Sequence, residues 1–295
     1  MTKRISGPGL SALLLLLCSG APRAQNREAT EKISREFPLT AEAGRSTLAL
    51  YNVSGSVTVQ GYAGSKVLVE ATKTISADDA QKLALGQTEA KLGFLQRNDS
   101  VVVYMAAPFD SRPRRSYGRN QGNDWGNHDP EYEYEFDFVV KVPYGLNLTV
   151  STVNNGAVLV QDVAGPLNVG NVNGPITLRN VKGATQARTV NGNVEASYAA
   201  SPPGASSYHT INGQIKVQYP ASLAADAHFK SMNGEFYTDF PNTELLPVQV
   251  TKNQRGKGDG TVYKLTKDTA VRIGKSGGPD LRFETLNGDV TITKQ

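Results

Sequence analysis

The chain has 295 residues, of which 31 are Lys or Arg and 27 are Asp or Glu, so its formal net charge is +4 at pH 7. This length allows one extended domain or two. The only cysteine is Cys18, which excludes a disulfide framework and a thiolate metal site.

The first 24 residues predict a secretory signal peptide. Lys3 and Arg4 precede an apolar run over residues 10–18, and small residues follow up to Ala24, after which we expect cleavage. The apolar run is too short to cross a bilayer as a helix. We therefore expect an exported protein, located in the periplasm or at the cell surface.

A lipoprotein anchor on Cys18 is the alternative to cleavage after Ala24. It is disfavoured because Leu17 stands where a small residue is expected before a lipidated cysteine. Removal of residues 1–24 takes away three basic residues and no acids, so the 31 Lys and Arg fall to 28 against 27 Asp and Glu. A net charge of about +1 gives no support to nucleic-acid binding, which needs a clustered basic face.

Glycine recurs every nine residues between residues 152 and 196. The glycines are Gly156, Gly165, Gly174, Gly183 and Gly192. Apolar residues stand at most of the positions two places before the glycines and two and four places after them, as with Val172, Ile176 and Leu178 around Gly174. Alternation of this kind is typical of a β-strand with one buried face. We expect the glycines to take positive φ in the turns between such strands.

Asparagine precedes every second glycine, so the full repeat is eighteen residues with two strands and two turns. A repeat of this kind predicts an all-β fold, a β-solenoid or β-roll of stacked short strands with about 18 residues per coil. An antiparallel meander with Asn-Gly hairpin turns is the competing interpretation. The pattern continues with looser spacing at Gly213, Gly234 and Gly288, and a related unit occurs at Gly55.

The asparagines before the turn glycines predict an amide ladder between neighbouring coils rather than a ligand-binding edge. They are Asn155, Asn173, Asn191, Asn212, Asn233 and Asn287. Calcium-binding repeats are excluded because they need an aspartate in each turn.

The rest of the chain predicts a lead-in segment, one helix and further strands around the regular repeat. We expect residues 25–40 to be a flexible lead-in, and residues 41–295 to be the solenoid domain. One short inserted helix is predicted over residues 77–85, with Ser76 as its N-cap. A hairpin is expected over residues 91–105, and strands are expected over 248–251, 262–266 and 270–273.

Residues 131–142 predict the clearest single strand, because aromatic and aliphatic residues alternate with acids. Tyr132, Phe136 and Phe138 belong to the core face. The acids Glu131, Glu133, Glu135 and Asp137 belong to the other face, where we expect them to meet solvent or basic residues of a neighbouring strand. Alternate residues on a strand stand about 7 Å apart, too far for four carboxylates to hold one ion.

Residues 107–130 form a long loop insertion without periodicity, and they are the candidate binding region, since function tends to lie on long loops of a rigid scaffold. Its candidate binding residues are Arg112, Arg114, Arg115, Tyr117, Arg119 and Trp125. Disorder of this loop is an equally open interpretation. His128, His209 and His228 have no partner at metal-ligand spacing, and no nucleophile signature occurs, so we expect no catalytic residue, metal or cofactor.

The chain resembles the putative-adhesin family of bacterial β-strand-repeat proteins, which are related to the head-GIN domains. The resemblance is carried by YNVSGSVTVQGY near the start, by TVNGNVEA, TINGQIKV and SMNGEFYT, and by the closing LRFETLNGDVTITK. It covers most of the chain after residue 40, apart from residues 107–130. It implies an exported solenoid protein of the cell envelope and supplies no catalytic residues.

The sequence therefore predicts a non-enzymatic adhesin or interaction scaffold whose partner is an unknown envelope protein or surface glycan. A polysaccharide-acting β-helix enzyme is the alternative, and it would need Arg188, Glu195, Lys216 and Glu235 to converge on one face. A partner protein in envelope stress is the third hypothesis.

Overall fold

The computed structural model describes residues 27–108, 110–113, 130–247, 250–253, 262–265, 269–275 and 277–295. These residues form β-strands, one α-helix and one short 3-10 helix. Up to residue 113 the elements are β1 (Arg27–Pro38), the 3-10 helix Ala43–Arg45, β2 (Thr47–Tyr51), β3 (Val57–Tyr62), β4 (Lys66–Ala77), α1 (Ala80–Glu89), β5 (Lys91–Arg97) and β6 (Ser100–Ala107). From residue 130 they are β7 (Glu133–Pro143), β8 (Asn147–Ser151), β9 (Val158–Gln161), β10 (Leu167–Gly170), β11 (Ile176–Val181), β12 (Thr185–Arg188), β13 (Val194–Tyr198), β14 (Ser206–His209), β15 (Ile215–Tyr219), β16 (Ala225–Asn233), β17 (Phe236–Thr238), β18 (Thr243–Leu245), β19 (Val250–Asn253), β20 (Val262–Leu265), β21 (Thr269–Ile273), β22 (Asp280–Asn287) and β23 (Val290–Lys294).

Two large mixed sheets contain most of these strands. Sheet A has the order β1-β4-β7-β3-β9-β11-β13-β15-β23-β17, and sheet B has the order β18-β21-β16-β22-β14-β12-β10-β8-β2-β6-β5. β19 and β20 pair only with each other. The two sheets share one core, since the Tyr208 hydroxyl on β14 of sheet B lies 2.6 Å from the Tyr198 hydroxyl on β13 of sheet A. The predicted all-β class is confirmed.

Successive strands of the repeat lie in alternate sheets, because each nine-residue unit contributes one strand and one turn. Within a sheet the pairing is parallel and in register. Ile176 stands opposite Val158 and Val194, its counterparts 18 residues before and after. All the pairs among β8 to β15 are parallel, so the antiparallel meander is wrong for this region.

The core of sheet A consists of apolar rows that run across the strands. The residue two places after each Asn-Gly or Ser-Gly corner forms one such row: Val57, Val158, Ile176, Val194, Ile215 and Val290. All six are at most 2% exposed. Stacking therefore buries a face that no single unit could bury alone, as the repeat predicts.

The turn glycines are required by close backbone approach rather than by positive φ. A Cβ on Gly174, Gly192 or Gly213 would lie within 2.0 to 2.2 Å of the carbonyl oxygen of the preceding corner's glycine. None of these three glycines has φ in the left-handed region, whereas Gly55 and Gly288 do. The expectation of positive φ at every turn was wrong because the corners stack with backbone against backbone.

Each Asn-Gly corner is lined on the inside by a polar side chain. Thr189 and Thr210 donate to the carbonyl oxygens of Gly174 and Gly192, each over 2.9 Å. Val190, between Thr189 and the Asn-Gly pair, is only partly buried. At these corners the inward residue is therefore three places before the glycine, not two. A polar residue is needed at this position because the glycine carbonyl groups would otherwise be buried without a hydrogen-bond donor.

The predicted asparagine ladder is present, except that Asn154 takes part in it instead of Asn155. Its hydrogen bonds, 2.8 to 3.0 Å long, join Asn154, Asn173, Asn191, Asn212, Asn287 and Asn233 in that order. Asn154 takes the first place, not Asn155, because Asn155 has a left-handed backbone with φ 56°. The extra residue of the Asn-Asn-Gly turn is accommodated there.

The spatial order of the last coils differs from their order in the chain. β22 and β23 lie between β14–β15 and β16–β17, so residue 287 pairs with 212 and with 233. Leu281, Phe283 and Ile292 of the closing repeat are fully buried. This closing repeat has the apolar residues that a position between two other repeats requires. The repeat that ends at Thr238 does not, because Thr238 is polar where the closing repeat has Ile292.

Two predicted boundaries at the start of the domain are wrong. Residues 27–38 are not a flexible lead-in but the edge strand β1, paired antiparallel along its whole length with β4. Its many charged residues suit an edge strand, while Ile33 and Phe37 on one face pack against the core. The helix begins at Ala80 rather than at residue 77, because β4 keeps its pairing through Ala77. Asp79 is the N-cap, accepting from the backbone N–H groups of residues 81 and 82 at 2.8 Å.

The hairpin β5–β6 and the alternating strand β7 agree with prediction. Phe136, Phe138, Val140 and Val142 are buried in the core. Strands β19, β20 and β21 lie within one or two residues of the three strands expected after residue 247.

A hydrogen-bonded group of three tyrosines fills the core between β12 and β15. Tyr208 donates to Tyr198 and Tyr198 donates to Thr185, each over 2.6 Å, and the Tyr219 hydroxyl lies 3.2 Å from that of Tyr208. Small residues such as Ala187 leave room for the rings. Burial raises the pKa of the Tyr208 and Tyr219 hydroxyls well above the ordinary pKa of tyrosine, because the ionised form is poorly solvated in the core.

We expect Gly192→Ala to lower the free energy of unfolding by about 3 kcal/mol, since the new methyl group overlaps stacked backbone. Gly170→Ala is the matched control, because its Cβ would meet nothing closer than 3.6 Å. We expect the control to change the free energy of unfolding by less than about 1 kcal/mol. Urea denaturation of both variants makes the measurement, and equal losses would contradict the close-approach explanation.

We expect the free energy of unfolding to fall as the pH rises above about 10, because tyrosines ionise in the unfolded chain while Tyr208 stays neutral in the fold. Tyr208→Phe should be less stable at neutral pH by about 1 to 3 kcal/mol, since Tyr219 loses its acceptor. The same variant should lose less stability than the parent chain between neutral pH and about pH 11. Urea midpoints at both pH values test this, with Tyr144→Phe, whose side chain is 49% exposed, as the control.

Candidate functional site

The outer face of sheet A carries two rows of polar side chains, three and five places after the corner glycines. The first row contains Thr177, Glu195, Lys216 and Thr291, which are partners in register on adjacent strands. The second row contains Arg179, Ser197, Gln218 and Thr293. Neighbouring strands are about 4.8 Å apart, so each row presents one side chain at nearly constant spacing.

These two rows line a shallow open groove of about 380 Å³. Arg179, Glu195 and Lys216 are exposed. Among the described residues, none of these three charged groups forms an ion pair within 4 Å. The groove thus offers a carboxylate, an ammonium and a guanidinium group to an external partner, together with hydroxyl and amide groups.

The outer face of sheet B has a second, smaller groove of different character. It measures about 280 Å³ and is lined by Asn147, Thr149, Asn168 and Gln186, with no charged residue. The two grooves therefore differ chemically although the repeat that builds them is the same. The neutral groove thus offers a matched comparison for the charged one.

Sequence reasoning did not identify the groove. The signal that could have found it is the polar residue at the third and fifth places after the corner glycines, such as Thr177 and Arg179 after Gly174. The groove becomes visible only when the strands are aligned by eighteen-residue register. Of the set considered for an enzyme, Glu195 and Lys216 lie together on sheet A, and Glu235 lies at its edge. Arg188 lies on β12 of sheet B, so the four groups do not converge.

Of the predicted loop residues, only Arg112 lies within the described part of the chain. Its guanidinium group binds the carboxylate of Asp110 and stacks on the Tyr104 ring, with 4.2 Å to the ring centroid. The hydrogen bonds from Arg112 to Asp110 raise the pKa of the guanidinium group further. Ser111 anchors this end of the segment by donating to the carbonyl oxygen of Tyr51 over 2.8 Å. Arg114, Arg115, Tyr117, Arg119 and Trp125 lie outside the described residues.

The acidic row on β7 meets few cations. Glu131 lies 3.9 Å from Lys82, whereas Asp137 accepts hydrogen bonds from the backbone and hydroxyl of Ser56. Burial and the nearby charge of Asp137 raise the pKa of Glu135. The expectation that this row meets solvent or basic residues of a neighbouring strand therefore holds in part: Glu133 is exposed, whereas Glu135 and Asp137 are partly buried and stand opposite Thr74 and Thr72 of β4.

The described histidines lie on the outer face of sheet B, each near one carboxylate. His209 is 3.5 Å from Glu284, and His228 is 3.9 Å from Asp280. In the part of the chain that the structure describes, no group of three or more His, Cys, Asp or Glu residues could hold a metal ion. In the same residues, no helix has the length and apolar character that crossing a membrane requires.

Comparison with known families and curated proteins gives no match to this chain. Solved structures of similar shape do exist. One is a putative cell adhesion protein from Clostridium sporogenes ATCC 15579, with 11% identity, a TM-score of 0.42, and coverage of 92% of this chain and 100% of that one. Another is a putative adhesin from Bacteroides fragilis NCTC 9343, with 8% identity, a TM-score of 0.35, and coverage of 90% and 97%.

A third similar structure is a putative lipid binding protein from Parabacteroides distasonis ATCC 8503, with 8% identity, a TM-score of 0.27, and coverage of 90% of this chain and 96% of that one. At such identities and TM-scores these names describe the other proteins and carry no conclusion about this chain. The family resemblance found in the sequence is therefore taken up as part of the proposal below.

Proposed function

We propose that this protein is an exported, non-enzymatic adhesin or interaction scaffold of the cell envelope, of the putative-adhesin type. The observation that carries the proposal is the charged groove on sheet A. Its Arg179, Glu195 and Lys216 are exposed on a rigid stack and make no ion pair with the described residues. The strands hold the backbone positions of these charged groups, so a docking partner orders only the exposed side chains and not the chain that carries them.

The proposal includes a β-solenoid as the scaffold, with domain limits of 41–295 plus the preceding strand β1. The eighteen-residue register and the alternation of strands between sheets A and B support it. In such a stack each coil adds the same two outward positions, so the binding face grows in one dimension with coil number. An envelope protein or surface glycan with several contact points along its length suits such a face.

The loop over residues 107–130 is the second proposed contact region. Its residues Arg114, Arg115, Tyr117, Arg119 and Trp125 combine cationic and aromatic side chains, which are frequent at binding hot spots. Arg112 is assigned a different role here, because its bonds to Asp110 and its packing on Tyr104 hold the base of the loop.

We expect the triple variant Arg179→Ala, Lys216→Ala, Gln218→Ala to weaken partner binding at least about tenfold, which corresponds to about 1.4 kcal/mol. Thr149→Ala, Asn168→Ala, Gln186→Ala, in the neutral groove of sheet B, is the matched control and should bind like the parent. Binding of residues 25–295 is measured on a glycan array and by crosslinking in the intact envelope. A version with residues 114–129 replaced by a Gly-Ser linker separates the contribution of the loop.

The proposal fails if the parent chain binds no glycan and crosslinks to no envelope protein. It also fails if both triple variants bind equally well and the loop replacement has no effect. Crosslinking to a stress-response protein alone would instead favour the third hypothesis from the sequence. Appearance of unsaturated products or new reducing ends from a polysaccharide would favour the enzyme.

We expect export with removal of residues 1–24. Cell fractionation followed by N-terminal sequencing should recover the protein from the periplasm or cell surface with Gln25 as its first residue. Cys18→Ser should leave both results unchanged if cleavage follows Ala24. Retention of Cys18 in the mature protein, or membrane release caused by that substitution, would show the lipoprotein anchor instead.

A further inference from the structure

The coil over residues 230–238 is more exposed than the equivalent coil next to it. We call this segment the open edge. Thr285, Val290 and Ile292 are buried in the adjacent coil β22–β23, but the corresponding Ser231, Phe236 and Thr238 are only partly covered. Met232 is 75% exposed, whereas Leu286 at the same position of the adjacent coil is 38% exposed.

The reason for this exposure is that the open edge has a neighbour on one side only. β17 pairs with β23 and with no other described strand, and β21 covers β16 only as far as Phe229. The asparagine ladder also ends here, because the Asn233 side chain donates to Asn287 and its carbonyl oxygen accepts from none of the described residues. The exposed surface therefore has the form of a coil that lacks its next neighbour.

The opposite end of the stack, which we call the closed end, does not continue the repeat. Ser54 accepts a backbone hydrogen bond from Phe136 of β7, and the antiparallel strands β4 and β1 follow β7 in sheet A. Helix α1 packs on β4, with Gly86 buried against Ile75 and Tyr132. Head-to-tail stacking of copies is disfavoured, since the last strand at the closed end, β1, is antiparallel to its neighbour and its mostly charged residues do not continue the apolar rows of the repeat.

The charge around the open edge is predominantly acidic. Residues 230–247 contain the acids Glu235, Asp239 and Glu244 and one basic residue, Lys230, which lies on β16 of sheet B. Asp239 accepts from the backbone N–H of Lys294, and Glu235 accepts from the Tyr237 hydroxyl. Glu244 stands opposite Arg272, whose guanidinium group is already bound to Asp226 at 2.8 and 2.9 Å.

We propose that the open edge is a strand-addition site for an extended basic segment of a partner protein. Such a segment pairs with the free backbone of β17 and places apolar side chains on the inner face, beside the partly covered Phe236, while its basic side chains lie on the outer face with Glu235 and Tyr237. Its Lys or Arg residues lie near Glu235 and Glu244. This site is distinct from the groove on sheet A, so its test is independent of the proposed function.

The same charges disfavour a second copy of this chain as the occupant. A two-fold contact between open edges would bring Glu235 and Asp239 of both copies together at an antiparallel β17 pair. Like charges placed opposite each other across a strand pair are destabilising. The acidic residues that would repel a second copy of this chain attract a basic partner.

The test measures binding of residues 25–295 to a labelled synthetic peptide that alternates lysine with valine, by fluorescence anisotropy. The glutamate–valine counterpart is the probe control. We expect saturable binding of the lysine peptide, weakened by salt, and no binding of the glutamate peptide. Hydrogen exchange of the amides of residues 236–238 should slow when the lysine peptide is added, because those groups become paired.

The double variant Glu235→Lys, Glu244→Lys should bind the lysine peptide at least about tenfold more weakly. Glu28→Lys, Glu70→Lys, at the closed end of the stack, makes the same change in net charge and should bind like the parent. Equal effects of the two double variants would show nonspecific attraction and overturn the proposal. Absence of saturable binding overturns it too, as does a dimer in sedimentation whose amides 236–238 are already protected.

Discussion

The fold depends on the approach of backbone to backbone at the stacked corners. The carbonyl oxygen of one corner's glycine lies where a Cβ of the next corner's glycine would be, so no other residue fits without moving the chain. Thr189 and its counterparts satisfy those carbonyl groups from inside, and the asparagine ladder joins the corners from outside. The glycine, the residue three places before it and the asparagine thus form one unit. Parallel pairing of the strands then fixes the apolar rows in register, which is how short units with few apolar residues make a continuous core.

The strand content, the parallel register and the buried alternation of β7 could be predicted because they are periodic, and periodicity is visible in a single sequence. The corner glycines were recognised for the wrong reason, since the pattern cannot distinguish a left-handed turn from a close contact with another coil. The strand β1 was missed because the apolar residues of its inner face, Ala29, Ile33 and Phe37, stand four apart among charged residues, so the alternation of a half-buried strand is not visible. The place of β22 and β23 could not be predicted either, because the repeats have the same pattern and only packing decides which one is internal.

The candidate site shows the same limit. The outward positions three and five places after the glycines were visible as polar residues, but their assembly into a charged groove needs the pairing of Glu195 with Lys216 across strands. The place of Arg188 on sheet B likewise depends on which turns carry the chain from one sheet to the other. The candidate binding residues of the loop over residues 107–130 lie outside the repeat, so the eighteen-residue register does not predict their positions. Arg112, the described member, holds the loop base by binding Asp110.

The insertion of β22 and β23 between earlier coils has a consequence for the order of assembly. β17 pairs only with β23 among the described strands, and β16 relies on β22 along most of its length. Units up to β15 can form as the chain is synthesised, each on the one before it. The segment over residues 230–238, although it is synthesised earlier, has no described strand to pair with until residues 280–294 have been made. Until then it remains accessible to chaperones and proteases, so completion of the sheets depends on the last-synthesised part of the polypeptide.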